Sequence, residues 1–145
     1  MKVGIMGGTF DPIHIGHLLL GEFAYEDFGL DEIWFVPNGN PPHKETKDSE
    51  QALRNRVEMV RLAIEHIPYF KLDLSEADTT KHSYTYQTMK EFNRLYPDVD
   101  FYFILGADSL FSIEEWRFFR EIFVRSLQQC GMTRTFLPCV DRSCI

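Results

Sequence analysis

Cysteine is scarce in this sequence, and the few that occur lie at one end of the chain. Cys130, Cys139 and Cys144 all fall within the last 16 of the 145 residues. An odd number of cysteines without a Cys-x-x-Cys pair matches neither a disulfide framework nor a zinc site. The sequence therefore argues against both of these cross-linked classes of protein.

Long apolar runs and an excess of basic residues are also missing. No run approaches the roughly 20 residues of a membrane span, and the N-terminus lacks a signal-peptide pattern. The net charge of −7 argues against a nucleic-acid surface, although a small anionic ligand needs only a local positive site. We expect one cytoplasmic domain that has neither nucleic acid nor membrane as a partner, and homo-oligomerisation stays open.

Apolar patterning predicts four strands that alternate with three helices. The strands are expected near Val3–Met6, Glu32–Val36, Phe70–Leu74 and Phe101–Leu105, and the helices over residues 13–28, 50–66 and around 89–96. Near-continuous apolar strands are typical of a parallel sheet that is covered on both faces. The predicted fold is therefore a doubly wound, Rossmann-like α/β sheet.

Two helices carry apolar residues at helical spacing. Ile15, Leu19 and Phe23 recur every four residues in the first helix, which predicts that they form its buried face. The second helix has a similar stripe formed by Leu53, Val57, Val60 and Ile64. In such sheets ligands bind at the carboxyl ends of the strands, so we expect the loops that follow the strands to converge on one crevice.

The first of these loops has the most informative sequence, Gly-Gly-Thr-Phe-Asp-Pro-Ile-His-Ile-Gly-His over residues 7–17. Glycines let the backbone approach a ligand closely, and a helix start offers N–H groups and partial positive charge to an anion. His14 and His17 share one face there. The segment matches neither the dinucleotide fingerprint nor a Walker loop, which makes a nicotinamide-dependent oxidoreductase improbable. Two alternatives stay open: a plain turn with two surface histidines, and a pair of histidines that binds a metal ion.

This motif resembles the signature of the nucleotidyltransferase superfamily that carries His-x-Gly-His. Within that superfamily, Pro37–Lys44 resembles the nicotinate mononucleotide adenylyltransferase branch, as do Ser83-Tyr84-Thr85 and Gly106-Ala107-Asp108 followed by Trp116. The resemblance covers residues 1 to about 123 in unbroken order. It implies transfer of the adenylyl group of ATP to nicotinate mononucleotide, which gives nicotinate adenine dinucleotide and pyrophosphate in NAD biosynthesis.

The resemblance also implies a role for individual residues. His14 and His17 would be catalytic, because they would bind the triphosphate and stabilise charge at the transferred phosphorus. The remaining ATP and phosphate contacts would come from Gly8, Thr9, Phe10, Lys44, Gly106 and Asp108. Nicotinate mononucleotide would be bound by Tyr84, Thr85 and Trp116. Mg²⁺ would arrive with ATP, held by phosphates and water rather than by a protein metal site.

Simpler roles are open for several of these residues. Lys44 could be a solvated loop lysine, and Thr85 and Asp108 could be helix N-caps. Tyr84 and Trp116 could serve only in packing. Two further functions also stay open: a sister transferase that acts on phosphopantetheine, glycerol phosphate or nicotinamide mononucleotide, and an inactive, truncated nucleotide-binding domain.

Residues 124–145 depart from the family pattern. The family continues with another strand, a helix and a Ser-Ser/Thr-x-x-Arg-like motif, whereas these residues show neither helical nor strand periodicity. They also carry three arginines against one aspartate, in contrast to the acidic remainder of the chain. We therefore expect an incomplete nucleotidyltransferase domain over 1–123, truncated at its C-terminus, and an aberrant tail over 124–145.

A frameshift near residue 124 would explain this tail. Leu127–Phe136 can be encoded as CTG-CAG-CAA-TGC-GGG-ATG-ACA-AGG-ACA-TTY, and removal of two bases gives Ala-Ala-Met-Arg-Asp-Asp-Lys-Asp-Ile. That apolar run ending in Arg-Asp is what the next strand of the family looks like. We expect genomic resequencing to find the shift, and an unbroken frame for the tail in independent isolates would contradict it.

Overall fold

A computed structural model describes residues 1–40, 49–82 and 84–106 of the chain. The chain divides into two compact units, Met1–Ile104 and Leu105–Ile145. The first unit contains all the described helices and strands, and the second is described only at Leu105 and Gly106. The boundary expected at residue 123 lies outside the described residues and stays a prediction.

Strands and helices alternate along the first unit, as the sequence predicts. In chain order the elements are β1 (Lys2–Gly8), α1 (Ile15–Phe28), β2 (Glu32–Pro37), α2 (Glu50–Ile64), β3 (Phe70–Leu72), α3 (Thr85–Leu95) and β4 (Asp100–Phe103). Gly29 ends α1 in a left-handed conformation, and its N–H donates to the carbonyl of Tyr25. This is the C-terminal cap for which glycine is favoured.

The four described strands form one parallel sheet in the order β3-β2-β1-β4. The first two connections step outward from β1, and the third returns to the other side of β1. The order of the strands therefore reverses between β1 and β4, which is where doubly wound sheets bind their ligands. The predicted α/β fold with a doubly wound parallel sheet is confirmed.

Two apolar clusters cover the two faces of this sheet. On one face, Met6 and Phe35 pack with Ala24 of α1 and Val60 of α2. On the other face, Ile5 and neighbouring strand residues pack with Phe92 of α3. Burial on both faces explains why the strands are nearly continuous in apolar residues rather than alternating.

The predicted buried face of α1 is wrong. Ile15, Leu19 and Phe23 are 68%, 47% and 48% exposed, whereas Gly21 and Ala24 face the sheet. A Cβ on Gly21 would lie 3.0 Å from the Phe70 ring, so small residues let α1 approach the strands closely. Because α1 is apolar on several sides, its four-residue periodicity did not identify the side that packs on the sheet.

The apolar stripe of α2 is confirmed, with one addition. Leu53, Val60 and Ile64 are buried and Val57 is half-buried, as the spacing predicts. Arg56 lies on the same face and is also buried.

The strand β3 is shorter than predicted and ends at Leu72, so Leu74 is exposed. Among the described ranges, no helix is both long and apolar enough to cross a bilayer.

Two phenylalanines provide a test of this packing. Phe35→Ala is expected to lower the free energy of unfolding by about 3–5 kcal/mol, because Phe35 is fully buried. Phe23→Ala is expected to cost no more than about 1 kcal/mol, because that ring is half exposed. Urea unfolding followed by circular dichroism measures both. Equal losses would show that the outward face of α1 is packed in solution.

Candidate functional site

The loop that follows β1 lies at the carboxyl edge of the sheet, beside the position where the strand order reverses. Gly8 is the last residue of β1 and is paired with Pro37, the last residue of β2. The N–H of Asn38 donates to the Gly8 carbonyl at 2.9 Å, which extends the pairing by one residue into both loops. The two loops that the sequence singled out therefore begin side by side.

Phe10 anchors this loop from within the core. Its backbone has a φ of +49°, a left-handed conformation that non-glycine residues seldom adopt. Its ring is buried, with its centroid 5.9 Å from that of Phe35 and 5.1 Å from that of His17. The predicted ligand-lining role of Phe10 can therefore involve its backbone, because its side chain belongs to the core.

His14 and His17 meet at the start of α1. Their ring centroids are 3.9 Å apart, and the backbone N–H of His14 donates to Nδ1 of His17 at 3.2 Å. A neutral imidazole that accepts at Nδ1 carries its proton on Nε2. The first turn of α1 contains no acidic side chain, so its N–H groups and the Nε2–H of His17 form a donor-rich environment suited to an anion.

Gly16 permits the His14 ring to lie close to the backbone at the start of α1. A Cβ at this position would lie 3.0 Å from both Cε1 and Nδ1 of the His14 ring. Because this is tighter than ordinary van der Waals contact, any side chain at residue 16 would displace the His14 ring. The spacing His-x-Gly-His thus has a steric reason in addition to the chemical one.

Arg56 of α2 is a site residue that the sequence analysis missed. Its side chain is only 2% exposed, and it reaches both loops at the edge of the sheet. One terminal nitrogen donates to the carbonyl oxygen of Thr9 at 2.5 Å, and the other donates to the carbonyl oxygen of Asn38 at 2.9 Å. The guanidinium therefore joins the loop after β1 to the loop after β2 and places a buried positive charge beneath them.

A signal for Arg56 is present in the sequence. It lies between Leu53, Val57 and Val60 on the apolar face of α2. Arginine is almost never fully buried unless its donors are satisfied. A charged residue within an apolar stripe therefore indicates buried polar partners, although the pattern does not identify them.

A second part of the site lies at the start of α3. Thr85 is the first helical residue, and the N-cap is Tyr84, whose side chain makes no capping hydrogen bond. The alternative role of Thr85 as the N-cap is therefore wrong, because the N-cap is the preceding residue. The first turn of α3 contains no acidic side chain, so this helix start also favours an anionic group.

Hydrogen bonds connect the start of α3 to the loop after β2. The N–H of Gly39 donates to the carbonyl of Glu76 at 2.8 Å, and the hydroxyl of Thr88 donates to the Glu76 carboxylate. Burial raises the pKa of this carboxyl group, an effect opposed by the Thr88 hydrogen bond and reinforced by the nearby Asp73. Arg56 binds Thr9 and Asn38, and Gly39, the residue after Asn38, binds Glu76. These hydrogen bonds therefore form a continuous series along the edge of the sheet.

Several predicted residues remain without a structural test. Lys44, Asp108 and Trp116 lie outside the described residues, as does Ser83. Gly106 belongs to the second compact unit. The described ranges contain no group of three or more His, Cys, Asp or Glu side chains that could hold a metal ion. The roles given to Lys44, Gly106, Asp108 and Trp116 stay predictions.

A family model described as cytidylyltransferase-like matches residues 5–143 of the chain. Among curated relatives, nicotinate-nucleotide adenylyltransferase of Bacillus subtilis (strain 168) is 46% identical over 115 residues, which are 79% of this chain and 60% of that protein. A probable nicotinate-nucleotide adenylyltransferase of Bacillus mycoides is 45% identical with the same coverage. The resemblance inferred from the motifs is confirmed, and the chain spans about 60% of the length of these relatives.

Solved structures agree with the fold. Nicotinic acid mononucleotide adenylyltransferase of Plasmodium falciparum, complexed with NaAD, is 25% identical with a TM-score of 0.69, and the match covers 83% of this chain and 59% of that one. A putative nicotinate-nucleotide adenylyltransferase of Vibrio parahaemolyticus is 21% identical with a TM-score of 0.68, covering 86% and 69%. The second likeness supports the fold alone.

Arg56 can be tested against a surface arginine of the same helix. Arg56→Met is expected to lower the free energy of unfolding by about 2–4 kcal/mol, because the Thr9 and Asn38 carbonyls lose charged donors. Arg54→Met is the matched control, since Arg54 forms an exposed ion pair with Glu50, and its loss is expected to stay below about 1 kcal/mol. Urea unfolding measures both, and similar losses would contradict the role given to Arg56.

Proposed function

The chain belongs to the cytidylyltransferase-like family, and on that premise we propose that it transfers the adenylyl group of ATP to nicotinate mononucleotide. The products are nicotinate adenine dinucleotide and pyrophosphate. The observation that carries the proposal is the His14–His17 pair, which lies at the start of α1 beside the reversal of strand order. The names of the relatives at 45–46% identity support the choice of acceptor.

The proposed reaction is an in-line substitution at the α-phosphorus of ATP. An oxygen of the acceptor 5′-phosphate forms a bond to this phosphorus, and the bond to the oxygen that bridges to the β-phosphate breaks. The electron pair leaves with pyrophosphate, so no nucleophilic side chain is required. Two anions must approach each other, and catalysis therefore consists of positioning and electrostatic stabilisation.

His14 and His17 would provide that stabilisation. The hydrogen bond to Nδ1 orients the His17 ring and leaves the proton on Nε2. An Nε2–H donor at the start of a helix can bind a phosphate oxygen whose charge increases in the transition state. The short distance between the two rings would allow both to contact the same triphosphate.

The loop of Gly8, Thr9 and Phe10 would present its backbone to the nucleotides. Arg56 supports this role, because it donates to the Thr9 carbonyl and thereby orients the peptide groups of the loop. Its buried positive charge also offsets part of the negative field of a chain whose net charge is −7. The resemblance implies that Lys44, Gly106 and Asp108 would also contact ATP.

The start of α3 would bind the acceptor. Tyr84 and Thr85 place backbone N–H groups at a helix N-terminus, an arrangement that suits the nicotinate carboxylate. The loop after β2 is hydrogen-bonded to the same region through Gly39. Trp116 would stack on the pyridine ring, as the resemblance implies.

Mg²⁺ would reach the site bound to ATP. It commonly keeps several waters and is bound through substrate phosphates, which fits a triphosphate segment whose proposed contacts are the His14 and His17 side chains and the loop over Gly8, Thr9 and Phe10. When bound, the ion would neutralise charge on the phosphates of ATP. The aberrant tail over 124–145 and the expected cytoplasmic location remain parts of the proposal without a structural test.

A substrate panel tests this function. Pyrophosphate release from ATP and Mg²⁺ is measured with nicotinate mononucleotide, nicotinamide mononucleotide or phosphopantetheine as acceptor, and nicotinate mononucleotide is expected to give the highest kcat/KM. His17→Ala is expected to lower kcat by about 100- to 1,000-fold, because a transition-state donor is lost. His66→Ala is the matched control, since His66 is 90% exposed at the end of α2.

The possible outcomes separate the alternatives. Equal turnover with phosphopantetheine would overturn the choice of acceptor. Binding of ATP by calorimetry without pyrophosphate release from any acceptor would support an inactive nucleotide-binding domain instead. An unchanged kcat for His17→Ala would contradict the role given to the histidine pair.

A further inference from the structure

We propose that Glu76, in the loop between β3 and α3, is a positioning residue that holds two neighbouring segments in place relative to each other. The segments are residues 38–40 after β2 and Tyr84–Thr85 at the start of α3, of which the second is proposed to bind the acceptor. The inference rests on the proposed function for the identity of the acceptor. It adds a residue to which neither the motifs nor the resemblance assigned a role.

The side chain of Glu76 binds the first turn of α3. The Thr88 hydroxyl donates to Glu76 Oε1, and the same hydroxyl is 3.4 Å from the Tyr84 carbonyl oxygen. Because Thr88 lies one turn into α3, this contact ties the helix start to the loop before it. Tyr84 and Thr85 therefore depend on the Glu76 carboxylate for their position.

The backbone of Glu76 binds the other segment. Its carbonyl accepts the N–H of Gly39 at 2.8 Å. The two loops are in close contact here, because a Cβ on Gly39 would overlap the backbone of Asp78. Glu76 thus uses its carbonyl for the loop after β2 and its carboxylate for α3, and a shift of one segment would be transmitted to the other.

Glu76 is half-buried where it meets α3. Burial raises the pKa of its carboxyl group, and Asp73 adds a repulsive charge. A carboxylate that is partly removed from water destabilises the folded chain unless its hydrogen bonds compensate. The Thr88 hydroxyl supplies one such hydrogen bond, and the Glu76 carbonyl binds Gly39, so the residue is suited to position one segment relative to the other.

The hydroxyl of Thr88 provides the sharpest test, because valine has nearly the shape of threonine without the donor. Thr88→Val is expected to raise KM for nicotinate mononucleotide about tenfold, as the loss of one hydrogen bond to a charged group predicts. The KM for ATP and the kcat are expected to change little. Thr88→Ser keeps the hydroxyl and is expected to restore KM to nearly its original value.

Two further variants complete the test. Glu76→Ala is expected to raise KM for the acceptor by a similar factor, and adding Thr88→Val to it is expected to cause no further rise, because the two groups act as a pair. Glu91→Gln is the matched control. Glu91 lies one turn beyond Thr88 on α3 and is hydrogen-bonded to Arg94, so all kinetic constants are expected to be unchanged.

Hydrogen exchange at the Gly39 amide gives a readout that needs no substrate. Thr88→Val is expected to speed this exchange severalfold relative to Thr88→Ser, since the Gly39–Glu76 bond would open more often. An unchanged KM for the acceptor, or an equal rise in both substrate KM values, would overturn the proposal. If the unaltered chain does not use nicotinate mononucleotide, the proposed function fails, and the exchange rates alone decide whether Glu76 orders the two segments.

Discussion

The geometry of the site depends on the hydrogen bonds that the buried guanidinium of Arg56 donates. A charge removed from water is costly unless strong hydrogen bonds replace its hydration. Here the carbonyls of Thr9 and Asn38 accept from its two terminal nitrogens. Since these carbonyls belong to different loops, one cation holds together the two loops that continue from the paired ends of β1 and β2. The same charge lies beneath the segment proposed to bind a triphosphate.

The histidine motif depends on more local constraints. Phe10 holds the preceding loop in the core through its buried ring, and the absence of a side chain at Gly16 leaves room for the His14 ring. The His14 backbone then orients His17 through Nδ1. The contacts among His14, Gly16 and His17 join residues that are close in the sequence, which explains why the motif can be recognised as a unit. Arg56 comes from a separate helix, and its partners are backbone atoms that have no sequence signature.

The α/β fold could be predicted because strand and helix patterns in this chain are clear. The alternation of four strands with three helices and the stripe of α2 both appear where they were expected. The face of α1 could not be predicted, because Ile15, Leu19 and Phe23 satisfy helical spacing as well as the residues that are buried. The close approach of α1 to the sheet requires small residues, and Gly21 and Ala24 provide them. Which side is buried depends on the shape of the sheet surface, and this shape is absent from a local pattern.

The sequence by itself determined the class of fold, the histidine motif over residues 7–17 and the family to which the chain belongs. These features depend on residues that are close in the chain, so their spacing carries the information. Only the tertiary structure decided the strand order β3-β2-β1-β4 and the partners of Arg56 and Glu76. Those contacts join separate segments of the sequence, and a buried charge or carboxylate acquires its role from the hydrogen-bonding groups that folding brings to it.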